Sequence, residues 1–278
     1  MLAAMATPWD RAAAGYLEEW VPRFVPYHLD LVRVLALNPG GRVLVTSCGP
    51  GAEVLAVARA VGDEGHVVAT DSSEEMVRLC QDQARAGAFE NIETVQADAS
   101  DTRGRKWDAI LCAFGLWQIS DRESLVSAWA SALAPRGKVG ILTWGPPAGE
   151  GPFEILASCL HELEPGYEVP NPHLHAEREP MARLFDQGGL VMVRHTIIRH
   201  TLAWKSAAGT STSACATIAS GRIPRQPART PRHISTDRPI WNTSAATRSS
   251  AKMPAVCGLR LARIMWMRIS ESGGRLLR

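Results

Sequence analysis

Hydrophobic and polar positions follow two different periods along the first 204 residues of the chain. Short apolar runs are typical of buried strands, and they alternate with stretches whose apolar residues lie three and four positions apart, which is typical of amphipathic helices. Strands and helices that alternate in this way form a parallel sheet through right-handed crossovers. The apolar runs predict strands at 43–45, 66–70, 92–96, 107–112, 138–144 and 191–204.

The helical period begins before the first strand. Residues 9–37 carry two amphipathic stretches, and we expect Pro22 and Pro26 to break them because proline lacks the N–H donor of a helix interior. The same period predicts later helices at 52–61, 121–133, 153–163 and 179–187. The pattern as a whole indicates an α/β fold.

A glycine turn, Ser47 to Gly51, joins the first strand to the helix at 52–61. Strand, turn and helix together place unpaired backbone N–H groups and the positive helix end at the carboxyl edge of the sheet, which suits a nucleotide-like ligand. The dinucleotide-binding fingerprint requires a small residue three positions after the second glycine. Val54 stands there, which argues against a dinucleotide.

Two carboxylates follow the next two strands. Asp71 ends the second strand, where a carboxylate can accept hydrogen bonds from both hydroxyls of a ribose. After the third strand, Asp98 is placed to accept from an adenine amine, and the N–H of Ala99 to serve a ring nitrogen. These positions predict an adenosine pocket without a pyrophosphate site. Asp71 also fits the alternative of a helix N-cap, because Asp71 to Glu74 reads as a capping box, and the two roles are compatible.

Five ordered motifs carry a family resemblance over about residues 9–204. They are VLVTSCGPG (43–51), VVATDSSEEM (67–76), VQADAS (95–100), WDAILCAFGLWQI (107–119) and LAPRGKVGILTWGP (133–146). At these residues the chain resembles the class I S-adenosylmethionine-dependent methyltransferases. Within that family it is most similar to the small-molecule branch around the ubiquinone/menaquinone C-methyltransferases and the natural-product O-methyltransferases.

The resemblance implies a Rossmann-like sheet of seven strands with helices on both faces, an N-terminal helical lid, and S-adenosylmethionine as the cofactor. It places Tyr16 as the lid aromatic that touches the cofactor, and Asp71 at the ribose. It implies that the methionine part is surrounded by Ser47, Cys48, Gly49 and Gly51, and that Ser72 and Met76 flank the adenine. Asp98 and Ala99 would contact the edge of the adenine, and Ala113 would complete the pocket.

Two residues depart from the family pattern. The family usually has an acidic residue where Val45 stands, and that acid helps to orient the methionine amino group. Its absence is expected to weaken cofactor binding by the value of one charged hydrogen bond, about 1.5–3 kcal/mol. Ser47 stands where the family has glycine, so it must turn without glycine's freedom at positive φ.

The acceptor side of the site is predicted from aromatic residues at strand ends. Phe114, Trp117 and Trp144 fit an apolar acceptor wall, and ordinary core packing is the alternative. His161, on the helix after the fifth strand, is the candidate catalytic base among His28, His161, His173 and His175. His173 and His175 lack a third partner at metal-ligand spacing, so no metal is predicted.

These observations predict an S-adenosylmethionine-dependent methyltransferase that acts on a small apolar metabolite. We expect O-methylation of an enol, phenol or polyketide-type hydroxyl in secondary metabolism. One alternative is C-methylation of a quinone precursor, and another is a non-catalytic methyltransferase-fold protein that binds a ligand or partner.

Charge divides the chain into two unlike parts. Residues 1–204 have a formal net charge of −9. Residues 205–278 have a formal net charge of +11 and are rich in Ser, Thr, Ala, Arg and Pro. Such a composition is typical of disorder, and a shifted reading frame in a GC-rich gene would also produce it. We predict three regions: a helical lid (1–37), a cofactor-binding domain (38–204) and a disordered or aberrant tail (205–278). No strand is evident before Ala255, and 259–269 matches a strand weakly, so the seventh strand stays unassigned.

Composition sets the remaining expectations. No apolar run is long enough for a membrane span, and the N-terminus lacks the basic start and apolar core of a signal peptide. Six scattered cysteines without a Cys-x-x-Cys pair are typical of reduced thiols in a cytoplasmic protein. The tail lacks the aromatic interleaving of a nucleic-acid binder. A small-molecule acceptor is the expected partner, and the sequence is silent on oligomeric state.

Overall fold

The computed structural model describes residues 7–146, 158–159, 161–164, 171, 173–203 and 211–224. Six helices are described from end to end: α1 (Pro8–Glu19), α2 (Val21–Leu35), α3 (Ala52–Val61), α4 (Glu74–Ala86), α5 (Arg122–Ala132) and α6 (Arg178–Gln187). The strands are β1 (Arg42–Thr46), β2 (His66–Asp71), β3 (Ile92–Gln96), β4 (Trp107–Ala113), β5 (Leu133–Trp144), β6 (Val191–Ala203) and β7 (Ser211–Arg222). Among the described residues, no helix is both long and apolar enough to cross a bilayer.

All seven strands form one sheet in the order β3-β2-β1-β4-β5-β7-β6. Strands β1 to β5 are parallel, and β7 is antiparallel to both β5 and β6. Side chains along β1 alternate between two cores. Val43 and Val45 pack toward α2 and α3, whereas Leu44 packs on the opposite face with residues of α5 and α6. The predicted Rossmann-like sheet with helices on both faces is confirmed.

The two N-terminal helices differ from prediction at one proline. Thr7 caps α1 through a capping box with Asp10, and Pro22 lies in the first turn of α2, where an N–H would have no intrahelical acceptor. The predicted break at Pro26 is wrong, because α2 runs through it to Leu35. Its apolar face, which includes Phe24 and Leu31, is buried against the sheet, and this packing holds the helix continuous.

Strand β5 also begins earlier than expected. The sequence predicts a turn at 134–137 before the strand, but Leu133 already pairs with Trp107, and pairing resumes at Lys138 opposite Ala109. The residues between form an irregularity of the ladder, in which Arg136 takes a φ of 70°. The expected turn is therefore a bulge inside the strand.

The seventh strand contradicts the prediction for the tail. No strand was expected before Ala255, yet β7 lies at 211–222, between β5 and β6. An interior strand satisfies its backbone on both sides, so it does not require the alternating apolar pattern on which the prediction depends. Small residues even suit this place, since a Cβ added at Gly221 would lie 2.7 Å from the Phe185 ring. The candidate strand at 259–269 lies outside the described residues.

Candidate active site

The glycine turn leaves β1 through three left-handed residues. Ser47 and Gly49 each have a φ of 51°, and Gly51, the N-cap of α3, has a φ of 94°. The turn is bound to β2, because the Cys48 N–H donates to the Thr70 carbonyl (2.9 Å) and the Gly49 N–H donates to Asp71 Oδ2 (2.9 Å). Ser47 therefore has the positive φ that is expected at this position, which costs about 1–2 kcal/mol relative to glycine.

Gly51 marks the tightest point of the turn. A Cβ there would lie 2.7 Å from Cys80 Sγ and 3.3 Å from Cys80 Cα, so Gly51→Ala is expected to reduce the free energy of unfolding by about 3 kcal/mol through overpacking and backbone strain. The matched control is Gly40→Ala. Gly40 has a φ of 74° but open space around its Cα, so only strain of about 1 kcal/mol is expected. Denaturant unfolding measures both, and equal losses would contradict close packing at Gly51.

Asp71 joins the turn to the next helix. Its Oδ2 accepts from the Gly49 N–H and its Oδ1 accepts from the Ser73 N–H at 3.0 Å. Burial raises the pKa of this carboxyl, and the two N–H donors oppose that effect. The alternative that Asp71 is an N-cap does not hold, because Ser73 caps α4 by accepting from the Met76 N–H. Each Asp71 oxygen keeps acceptor capacity for a further donor.

The second predicted carboxylate lies at the end of the neighbouring strand. The Ala97 N–H donates to the Asp71 carbonyl (2.9 Å), so the ends of β2 and β3 are joined directly. Asp98 is exposed, and Oδ1 accepts from the Ser100 N–H and hydroxyl, which lowers the pKa of Asp98. The Ala99 carbonyl accepts from Trp129 Nε1. The structure brings this segment beside Asp71, and its adenine role stays a prediction.

Helix α1 covers the glycine turn. The ring of Tyr16 lies 4.0 Å from the place of a Cβ at Gly49, and burial together with the negative charges of Glu53 and Asp71 raises the pKa of Tyr16. Asp10 fastens the helix to α4 by accepting from the Ser73 hydroxyl and the Glu75 N–H. Tyr16 thus lies where a lid residue would contact a ligand held by the turn.

Aromatic side chains gather at the ends of β4 and β5. Ring centroids lie 4.7 Å apart for Phe114 and Trp144 and 4.8 Å apart for Phe24 and Phe114. Trp117 is half-buried at the edge of the same core, and Ala113 ends β4 beside it. The three predicted residues therefore belong to one aromatic cluster, and its role as an acceptor wall stays a prediction. Phe24 was missed in the sequence because it reads only as one apolar position of α2.

A buried acid and a histidine lie behind this wall. Glu53 Oε2 is 3.8 Å from His28 Nε2, and both side chains are almost fully buried. Burial raises the pKa of Glu53 to about 8, and the charge of Asp71 acts in the same direction, whereas burial lowers the pKa of His28 to about 3. Sequence analysis missed Glu53, since an acid in the first turn of a helix normally serves the helix dipole.

The other candidate histidines are His161, His173 and His175. His161 is exposed in a helical stretch at 161–163, and its catalytic role stays a prediction. His173 Nδ1 lies 2.6 Å from the Gly145 carbonyl, and burial with the charge of Arg122 lowers the pKa of His175 to about 4. Within the described residues, no three His, Cys, Asp or Glu side chains converge on a metal position. Four cysteines in that part are free thiols: Cys48, Cys80, Cys112 and Cys159.

Comparison with known proteins finds relatives of similar sequence. Residues 43–137 match the family described as a methyltransferase domain. The chain is 31% identical to the ubiquinone/menaquinone biosynthesis C-methyltransferase of Shewanella frigidimarina over 192 residues, which covers 63% of this chain and 76% of that protein. It is 32% identical to the enzyme of the same name from Teredinibacter turnerae over 119 residues, or 42% of this chain and 48% of that protein. The chain thus spans about half of the length of the second relative.

Solved structures show the same fold. A SAM-dependent methyltransferase from Aquifex aeolicus superposes with a TM-score of 0.55 at 16% identity, covering 77% of this chain and 98% of that one. The magnesium protoporphyrin IX methyltransferase from Synechocystis, solved with bound SAH, gives a TM-score of 0.52 at 15% identity, covering 77% of this chain and 97% of that one. At these identities the likeness concerns the fold alone.

Proposed function

The chain belongs to the class I S-adenosylmethionine-dependent methyltransferases, and from that premise we propose that it methylates a carbon of a small, apolar, electron-rich ring of the quinone-precursor type. The observation that carries the proposal is the joined edge of β1, β2 and β3. The glycine turn lies beside Tyr16 and donates to the Asp71 carboxylate, and the segment that leads to Asp98 donates to the Asp71 carbonyl. The relatives named as C-methyltransferases favour carbon over oxygen as the methylated atom.

The residues at this edge fit the proposed cofactor. Asp71 retains acceptor capacity for two ribose hydroxyls, and the absence of a Cβ at Gly49 leaves space under the Tyr16 ring. Met76 is buried in the first turn of α4, the helix that follows Asp71. When bound, S-adenosylmethionine supplies a methyl group that is already activated by its sulfonium. The protein is then required mainly to align the acceptor with that methyl, which proximity and orientation can largely achieve.

The acceptor wall suits an aromatic ring. Phe24, Phe114 and Trp144 form a closely packed, buried aromatic cluster near the ends of β4 and β5. Aromatic side chains of this kind line pockets for apolar ligands and stabilise neighbouring cations. A carbon nucleophile loses its ring proton after methylation, so the reaction requires a base. His161 remains our candidate for that base, and its segment follows β5 in the chain.

The product decides between carbon and oxygen. We expect that incubation with ¹³C-methyl S-adenosylmethionine and reduced demethylmenaquinone yields a product one methyl group heavier, whose carbon chemical shift is that of a ring C-methyl. A simple phenol, offered in parallel, is expected to react poorly. Nuclear magnetic resonance and mass spectrometry of both mixtures measure this. An O-methyl product would support the enol, phenol or polyketide-type acceptor predicted from sequence, and no transfer to any acceptor by a protein that binds the cofactor would support the non-catalytic alternative.

A further inference from the structure

The proposed cofactor carries a positively charged group for which β1 supplies no negatively charged partner. Its methionine arm ends in an ammonium group, and Val45, at the place on β1 where the resembled family has an acid, is fully buried and apolar. Asp71 already accepts from two backbone N–H groups and is assigned to the ribose. The following inference rests on the proposed function and concerns the residue that receives this ammonium group.

Glu53 is the buried carboxyl that follows the glycine turn in the sequence. It lies in the first turn of α3, two residues after Gly51, and only 3% of the residue is exposed. The ionisable groups that interact with it lie on several neighbouring elements. They are Tyr16 on α1, His28 on α2, Cys48 in the turn, Asp71 on β2 and Cys112 on β4.

None of these neighbours supplies a fixed cation. His28 is the one basic side chain within 4 Å of the Glu53 carboxyl in the described part of the chain, and its Nδ1 is buried without a hydrogen-bond partner there. Burial keeps this imidazole neutral near pH 7 because it lowers the pKa of His28 to about 3. A charged Glu53 would therefore be buried without compensation, which costs several kcal/mol and is avoided by binding a proton.

We propose that Glu53 receives the ammonium group of the cofactor and releases its own proton to solvent as the cofactor binds. The proton leaves the carboxyl, and the resulting carboxylate pairs with the ammonium cation, so these two groups together add no net charge to the buried site. The acid missing from β1 is thereby replaced from the helix that follows the glycine turn. Binding of the amino-acid arm is coupled to pH, whereas binding of the adenosine part is not.

The sign of the pH dependence follows from the free protein. Burial raises the pKa of Glu53 to about 8, so the carboxyl is protonated over most of the range from pH 6 to 7.5. A ligand that binds only the carboxylate must displace that proton, and its affinity rises about tenfold per pH unit below the pKa and levels off above it. His28 does not titrate in this range, so it does not contribute to the slope.

The experiment is calorimetric titration of the full chain with two probes. S-adenosylhomocysteine carries the amino-acid arm, and 5′-methylthioadenosine keeps the adenosine and the sulfur but lacks it. Titration at pH 7 in two buffers of different ionisation enthalpy counts the protons released. We expect about 0.9 proton for S-adenosylhomocysteine and none for 5′-methylthioadenosine. The affinity for S-adenosylhomocysteine alone is expected to rise about 25-fold from pH 6 to 7.5.

Two variants locate the proton. Glu53→Gln is expected to abolish both the proton release and the pH slope, and to weaken S-adenosylhomocysteine about 10- to 30-fold at pH 7.5 while 5′-methylthioadenosine binds as before. Glu64→Gln changes an exposed carboxylate just after α3 and is expected to behave like the unmodified protein. If Glu53→Gln does not fold, the two probes on the unmodified chain still decide.

The remaining outcomes separate the two proposals. Binding of S-adenosylhomocysteine without proton release would overturn the role of Glu53 and leave the methyltransferase proposal standing. Equal proton release with both probes would also overturn it, because the proton would then come from the adenosine side, where Asp71 lies. No binding of either probe by a cooperatively folded chain would overturn both proposals.

Discussion

Asp71→Ala is expected to lower the affinity for S-adenosylhomocysteine by at least about 100-fold. In the proposed site its carboxylate accepts from both ribose hydroxyls, and each charge-assisted hydrogen bond contributes about 1.5–3 kcal/mol. Two such bonds correspond to roughly 3 kcal/mol or more, and about 1.4 kcal/mol gives a factor of ten. The same carboxylate also holds the Gly49 and Ser73 N–H groups, so its removal loosens the turn that surrounds the ligand.

Calorimetric titration measures this loss, and denaturant unfolding shows how much of it reflects a weakened fold. Asp63→Ala is the matched control, because Asp63 is an exposed aspartate in the connection from α3 to β2. Asp71→Asn keeps the size and one acceptor oxygen, so we expect an intermediate affinity. An unchanged affinity in Asp71→Ala, with the control also unchanged, would remove Asp71 from the cofactor site.

The residues at the sheet edge were predictable because their signal is local and ordered. Each of Ser47, Asp71 and Asp98 lies within two residues of the end of a predicted strand, and parallel strands bring their carboxyl ends to one edge. The structure joins the turn to Asp71 by one hydrogen bond and β2 to β3 by another. No tertiary information was needed to place these three positions together.

Glu53 and Phe24 required tertiary information. An acid in the first turn of α3 has an ordinary explanation in the helix dipole, and only the packing of α2 against α3 reveals that it is buried beside His28. Phe24 is one apolar position on a helix whose sequence does not state which strands it covers. The structure shows it against Phe114. Burial and partner identity depend on how elements pack, and periodicity does not encode that.

Strand β7 was missed for a different reason. Its Ser, Thr and Ala residues resemble the composition of the rest of the basic tail, and composition was taken as the signal for disorder. Its place in the sheet depends on main-chain hydrogen bonds to β5 and β6, which any non-proline sequence can form. The position of the strand therefore depends on the backbone hydrogen-bonding groups of β5 and β6 rather than on a hydrophobic pattern in its own sequence.

Ending the chain at Ala203 is expected to abolish cooperative unfolding. The truncation removes β7, which pairs with β5 from Lys138 to Trp144 and with nearly the whole length of β6. Even at about 1 kcal/mol per net hydrogen bond, two complete ladders amount to much of the ~5–15 kcal/mol that stabilises a typical domain. Strand β6 would lose its only neighbour in the described sheet, and the edge of β5 would be exposed.

A chain that ends at Pro224 is the matched control, because it keeps all seven described strands and lacks only residues 225–278. We expect this control to unfold in a single transition that coincides by circular dichroism and fluorescence, and the shorter chain to show no transition or to aggregate. The pair also tests the division of the chain at 204. Cooperative unfolding of both would instead support the predicted disordered or aberrant tail that begins at residue 205. Loss of cooperativity in both would assign a structural role to the segment beyond Pro224, because the only difference between the control and the full chain is that segment.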